Sequence, residues 1–383
     1  MLSRTPTFVL IAAGTVAGLA GIDLVLPAIP SLPDTLGGNL EMAQWVLAAF
    51  AAGTGVGLLI AGELGARFGI GPLLAGSLLA YAALSLMATT ASDLVALSLV
   101  RFFQGLVAST PAVFAPVMIK AMYSPTSAVA MLGRIASIES MAPALAPMLG
   151  AWMLGAFGWK STFFLTAAVA LALGAFWTFA RQTRVQFGVS SRSSAGYLPL
   201  LRDRRFLRYA LSQAFTLGAL LIIVFAAPTM LTRALGGQIS DFIIMQVLGI
   251  TFFVLLANVS QAFVQRFGAA KTILSGTATT AVGCLGIAAL GLLPDPPIPL
   301  VWLCFVLTNA GLGLRGPPGF FSALQAAGDN EARGSALVIL FIAFTAATGT
   351  VAVAPFAEQG PLFVGALASG VALLAVVLSV EKA

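Results

Sequence analysis

The 383 residues contain no histidine, only two cysteines, and charged side chains at just 8% of positions. Without an imidazole there is no histidine base, proton relay or metal ligand, so any proton traffic must run through carboxylates. Cys284 and Cys304 both fall in long apolar stretches. That placement argues against a disulfide framework or a thiolate metal cluster and leaves them as small apolar filler. There is no phosphate-binding loop, no nucleophile with a histidine partner and no metal-ligand spacing. The chain therefore reads as no enzyme, with no cofactor and no metal. With so little charge beside 59% hydrophobic residues and a mean hydropathy of +1.02, the polar surface is too small to coat a soluble globule, and a polytopic membrane protein is expected.

What is present is a series of unbroken apolar runs, each near the roughly 20 residues that cross a bilayer as a helix. Barrel strands would instead alternate in segments of about 10 residues. The 40 glycines and 20 prolines suit membrane helices, where small residues allow close approach and neighbours re-satisfy broken backbone bonds. Spans are predicted near 8–30, 40–61, 72–90, 94–119, 129–156 and 160–180, then near 206–232, 240–264, 271–293, 299–323, 333–356 and 360–380. This is an all-α membrane protein of twelve transmembrane helices in two pseudo-symmetric six-helix bundles, 1–180 and 206–383, joined by a basic linker at 181–205. An internal repeat supports the division. GARFGIGPLLAG at Gly65–Gly76 resembles VQRFGAAKTILSG at Val264–Gly276, with the Arg-Phe-Gly triplets 199 residues apart. Two parallel six-helix repeats with a site between them is one way transporters are built.

Lysine and arginine fix the expected orientation, because cytoplasmic loops retain them. Of nineteen, fourteen fall on the side that carries both termini, Lys160 and Arg233 fall on the other, and Arg101, Arg134 and Arg315 lie inside spans. Both termini are assigned to the cytoplasm, of a bacterial inner membrane, and no cleavable signal is expected ahead of the first span. The net charge of +6 is then a record of topology and implies no nucleic-acid partner. Arg181–Arg208 carries seven arginines against one acid, Asp203, and is placed against anionic lipid headgroups.

Several motifs carry a family resemblance. Asp23–Pro30, DLVLPAIP, resembles the first-helix signature of the drug:proton antiporters of the major facilitator superfamily, in their bicyclomycin-resistance branch. Gly62–Gly69, GELGARFG, resembles that family's loop between helices two and three. Leu99–Gly105, LVRFFQG, resembles its fourth-helix motif, with Arg101, Gln104 and Gly105. Ala142–Gly150, APALAPMLG, followed by Gly158-Trp159-Lys160, resembles its fifth-helix motif and the start of helix six. The resemblance implies the major facilitator fold and gating roles for Gly62, Arg67, Gly69, Pro143, Pro147, Gly150, Arg266 and Gly268. It also implies charged contacts that this chain lacks residues for: the loop aspartate is missing, Ile70 and Gly71 stand at its basic positions, and Lys120 is followed by Ala121. Gating by packing rather than by charge is expected.

The membrane-embedded charges carry the chemistry. Asp23 lies seven residues before Pro30, and Arg101 lies seven residues after Leu94. Both are thus about 10 Å below the same face at 1.5 Å per residue. At equal depth they are predicted to neutralise each other, with Asp23 carrying the proton and Arg101 favouring its release. The alternative is a purely structural pair, or an aspartate reaching the interface. Glu139 is a second acid near the midplane. It either selects a polar or cationic substrate or pairs with Arg134. Arg315 either meets an anionic substrate group or extends to the cytoplasmic interface, and a bend is expected at Pro317–Gly319. Gln104, Asn309 and Trp45 complete the candidate substrate cavity, although tryptophans also serve as interface anchors.

Together these features predict a monomeric, proton-coupled secondary transporter that exports small amphipathic compounds or drugs by alternating access. An importer or facilitator for one metabolite, or a transport-inactive sensor on the same scaffold, are the other readings.

Overall fold

The computed structural model describes residues 4–179 and 196–380, with side chains from Pro6 onward. Most of the predicted linker, including Arg181, Arg184 and Arg192, lies outside the described residues. Among them, twelve helices are long and apolar enough to cross a membrane. They are α1 (Pro6–Leu36), α2 (Leu40–Phe68), α3 (Ile70–Ala88), α4 (Leu94–Met122), α5 (Pro125–Phe157), α6 (Lys160–Phe179), α7 (Arg204–Ala234), α8 (Ile239–Phe267), α9 (Ala269–Leu290), α10 (Ile298–Ala326), α11 (Gly328–Gln359) and α12 (Pro361–Ser379).

Proline sets where these helices change character, since it lacks the N–H that an interior turn needs. In α1 the regular helix stops at Asp23, and Pro27 and Pro30 fall in a 3-10 segment, Leu26–Ser31. In α5 a break at Ser140 and Met141 separates Pro125–Glu139 from Ala142–Phe157, with Pro143 in the first turn of the second piece. By contrast, α10 is helical without interruption through Pro317 and Pro318.

Two compact units result. The first comprises Met1–Met122, Ile138–Tyr197 and Asp329–Ala336; the second comprises Tyr123–Ser137, Leu198–Gly328 and Leu337–Ala383. Relative to the two halves of the sequence, the early part of α5 and the start of α11 have therefore exchanged membership. The exchanged pieces end at Ser137 and Ala336, which are 336 − 137 = 199 residues apart, the period of the Arg-Phe-Gly repeat. Backbone geometry agrees: Gly69 and Gly268 end α2 and α8 with φ of 89° and 84°, a conformation that only glycine adopts freely. Packing follows the same period. In the first unit α4 packs on α1, α2 and α3, and α3 on α6. In the second unit α10 packs on α7, α8 and α9, and α9 on α12.

Small residues let these helices touch along their backbones. A Cβ on Gly53 would lie 1.9 Å from the Phe102 carbonyl oxygen, and one on Gly105 would lie 2.0 Å from that of Phe50. No side chain fits at either place, so α2 and α4 meet main chain to main chain. Gly105→Val is expected to force them apart and lower stability by about 1–3 kcal/mol, as overpacking does. A melting curve in detergent measures this, and an unshifted transition would contradict the contact.

Candidate functional site

Asp23 ends the regular part of α1 because the chain then enters the proline-bearing 3-10 turn, and its side chain is half-buried. Glu139 occupies the matching place in α5, as the last residue before the break at Ser140. Its carboxyl is within hydrogen-bond reach of the Thr15 hydroxyl on α1. The predicted partner Arg134 is instead exposed, with its Nη1 3.8 Å from Met131 Sδ. Asp23 and Glu139 thus carry no ion pair among the described residues.

Arg101 is fully buried, yet its neighbours are not the expected ones. Its guanidinium stacks on Phe50 at 4.2 Å and approaches Phe163 at 5.8 Å, while Nη1 donates to Gln104 Oε1 at 3.3 Å and Nε to the Val46 carbonyl at 3.4 Å. The predicted ion pair with Asp23 is not formed. The space beside α1 at Gly21, two residues from Asp23, is filled by the Tyr81 hydroxyl and by the same Phe50 ring on which Arg101 stacks. A desolvated cation over an aromatic face is held by about 2 kcal/mol, which takes the place of a carboxylate. Gln104 is corrected with it. Fully buried, it donates to Ser85 Oγ at 2.8 Å and accepts from Arg101, so it orients the arginine.

Trp45 is 51% exposed. With Ala48, Ala49 and Ala52 of α2 and Val95, Leu99 and Phe102 of α4, it lines an apolar groove of about 470 Å³. The groove is shallow and open along one side, so it offers a wall to a ligand and does not enclose one.

In the second unit Arg315 overturns the expectation that it reaches an interface. It is fully buried, with Nη1 donating to Gln213 Oε1 at 2.6 Å and Nη2 to Ser212 Oγ at 3.0 Å. Ser212 in turn meets Ser379 of α12 at 2.7 Å. The small residues Gly276 and Gly319 border the arginine closely, since a Cβ at either would lie within 3.0 Å of it. Asn309 is also buried, and its amide donates to the Phe305 carbonyl of its own helix at 3.0 Å against Gly249 of α8. It is a packing residue.

Among the predicted gating residues, Gly150 holds α5 against α1, because a Cβ there would lie 2.2 Å from the Leu24 carbonyl oxygen. Arg67 belongs to a cluster that sequence reasoning did not anticipate. Its Nε meets one oxygen of Glu63 at 2.6 Å, while Nε of the buried Arg333, from α11, meets the other at 2.7 Å. Arg333 Nη1 also donates to Asn330 Oδ1 at 2.7 Å, and Lys120 pairs with Glu331. The expected lack of charged contacts is thereby corrected: the carboxylate comes from Glu63, one turn ahead of Arg67, and the partner of Lys120 comes from α11. Arg266 has no such arrangement. It lies beside the Phe267 ring at 5.3 Å, and the residue one turn ahead of it is Ala262.

Comparison with known proteins accords with this architecture. The chain matches the family model described as Major Facilitator Superfamily over residues 11–352. It is 28% identical over 286 residues to a chloramphenicol resistance protein of Pseudomonas aeruginosa, covering 74% of this chain and 67% of that one. It is 23% identical over 255 residues to a bicyclomycin resistance protein homolog of Haemophilus influenzae, covering 65% and 64%. Among solved structures, FucP in its outward conformation aligns with a TM-score of 0.75 at 14% identity, over 98% of this chain and 99% of that one, a likeness of fold alone. Twelve membrane-length helices, a repeat of 199 residues and a match across most of the chain lead to one assignment: this integral membrane protein belongs to the Major Facilitator Superfamily.

Proposed function

We propose that the protein is a proton-coupled transporter of the bacterial inner membrane, with cytoplasmic termini, that exports small amphipathic compounds by alternating access. The observation that carries the proposal is that Asp23 and Glu139, two carboxylates within membrane spans, have no cationic partner among the described residues. An acid locked to an arginine stays ionised, whereas an unpaired one in apolar surroundings is free to take up and release a proton. The Trp45–Phe102 groove offers an apolar wall of ligand size. Relatives named for resistance to chloramphenicol and bicyclomycin support drug-like cargo. Arg101 acts here through its position, keeping a fixed positive charge in the unit that holds Asp23, rather than through a direct pair. Lipid contact through the basic linker and a monomeric state remain parts of the same proposal. The importer reading rests on the eroded loop motif and on the extra charges Glu139, Arg134 and Arg315, and the Glu63–Arg333 pair answers only the first of these.

The test is efflux of ethidium from proteoliposomes under an imposed pH gradient. Asp23→Asn is expected to reduce gradient-driven efflux at least tenfold, and Glu139→Gln to alter its pH dependence. Undiminished efflux in Asp23→Asn would remove Asp23 from the mechanism.

A further inference from the structure

Tyr197 lies in the last third of the linker. Gly196 turns the chain with φ of +64°, and Tyr197 then donates its hydroxyl to the Leu59 carbonyl of α2. The side chain occupies a prepared place. A Cβ at Gly62 would lie 2.5 Å from the Tyr197 hydroxyl, 2.8 Å from Ala336 Cβ and 3.2 Å from the Ala332 carbonyl oxygen, so α2, α11 and the tyrosine converge on one glycine. Glu63 and the buried Arg333 are the adjoining residues on the same two helices. Burial, and then the negative charge of Glu63, push the Tyr197 hydroxyl well above the usual tyrosine range, which keeps it a donor.

The repeat explains why a residue from outside the helices is used here. The other repeat has the equivalent joint inside the second unit, where Gly133 packs on α8 against the Ala257 carbonyl and Asn258 donates its amide to Ser137 Oγ at 2.9 Å. Subtracting and adding the period of 199 places Leu59 at the position of Asn258 and Ala336 at that of Ser137. Neither can make a side-chain hydrogen bond. Where one repeat closes the joint with an Asn–Ser pair, the other has two apolar side chains and a tyrosine hydroxyl delivered from the linker.

We propose that Tyr197 is a positioning residue: beside the Glu63–Arg333 pair, it supplies the polar contact that the side chains of Leu59 and Ala336 cannot make, and so helps hold the Leu59–Glu63 turn of α2 against the start of α11. Resting on the transporter reading, this makes the end of the linker a strap that governs how readily the joint opens during transport.

Hydrogen–deuterium exchange of the full-length protein in detergent tests this without any transported compound, so its outcome is independent of the efflux assay. Tyr197→Phe keeps the ring and removes only the donor. Exchange within residues 329–336 and 59–64 is expected to rise roughly fivefold, the ratio that corresponds to one hydrogen bond of ordinary net strength, with 250–258 unchanged. Adding Leu59→Asn and Ala336→Ser, which transplants the closure of the other repeat, is expected to return exchange to its starting rate. Unchanged exchange at 329–336 in Tyr197→Phe overturns the proposal. An increase spread evenly over both units, or one that the transplanted pair fails to reverse, overturns it as well.

Discussion

Glu63→Ala is expected to destabilise the protein by about 3–5 kcal/mol, among the largest effects of any single substitution outside the packed core. Arg333 is fully buried, and Nε of its guanidinium is held 2.7 Å from Glu63 Oε2. Removing the carboxylate takes from that buried charge the oxygen its Nε meets, which costs more than the ion pair contributes when intact. Arg67 shares the same carboxylate, but its side chain is 64% exposed, and an exposed pair is worth at most about 1 kcal/mol. Arg67→Ala is therefore expected to leave the melting temperature nearly unchanged. Removing both partners together, as Glu63→Leu with Arg333→Met, is expected to recover most of the loss, because the buried guanidinium goes with the carboxylate. Thermal melting of Glu63→Leu, Arg333→Met and the double variant closes the cycle. A double variant as unstable as the sum of the singles would show that Arg333 does not depend on Glu63.

How much of this was legible in the sequence depended on whether a feature is one-dimensional. Span number and placement are, because they follow from the length of apolar runs; the effect of proline is not, since α1 and α5 break beside Pro27, Pro30 and Pro143 while α10 stays helical through Pro317 and Pro318, where a bend is expected. The repeat was legible at Arg-Phe-Gly, where Gly69 and Gly268 share the backbone conformation that the match implied. Side-chain partners were not legible. Counting residues from a helix end gives the depth of Asp23 and Arg101 but not the direction each one faces, and α4 turns Arg101 toward Phe50, Phe163 and Gln104. Glu139 and Arg134 are neighbours in sequence, yet the break at Ser140 leaves Glu139 beside Thr15. Glu63 and Arg333 are 270 residues apart, and only half of their cluster left a local trace, the spacing of four between Glu63 and Arg67. Tyr197 had no signal at all until the period of 199 was carried onto named contacts.

The same distinction yields a prediction of opposite sign for Arg315. Its guanidinium is fully buried among neutral groups, bonded to Gln213 and Ser212, with no carboxylate in the cluster among the described residues. An unneutralised buried charge costs several kcal/mol, and replacing such a group by an apolar one of similar volume is commonly neutral or stabilising. Arg315→Met is thus expected to hold or raise the melting temperature. Gln213→Leu keeps the charge and removes its best acceptor, and is expected to lower stability by about 1–3 kcal/mol. If Arg315→Met melts low instead, its hydrogen bonds to α7 outweigh its desolvation, and the cluster is a structural clamp. If the variant is as stable as the natural chain but its ethidium efflux falls, a costly cation is being kept for transport, since a residue that contributes nothing to stability has no packing reason to be there. Melting temperature and efflux together separate the two, and the sign of the first is what decides.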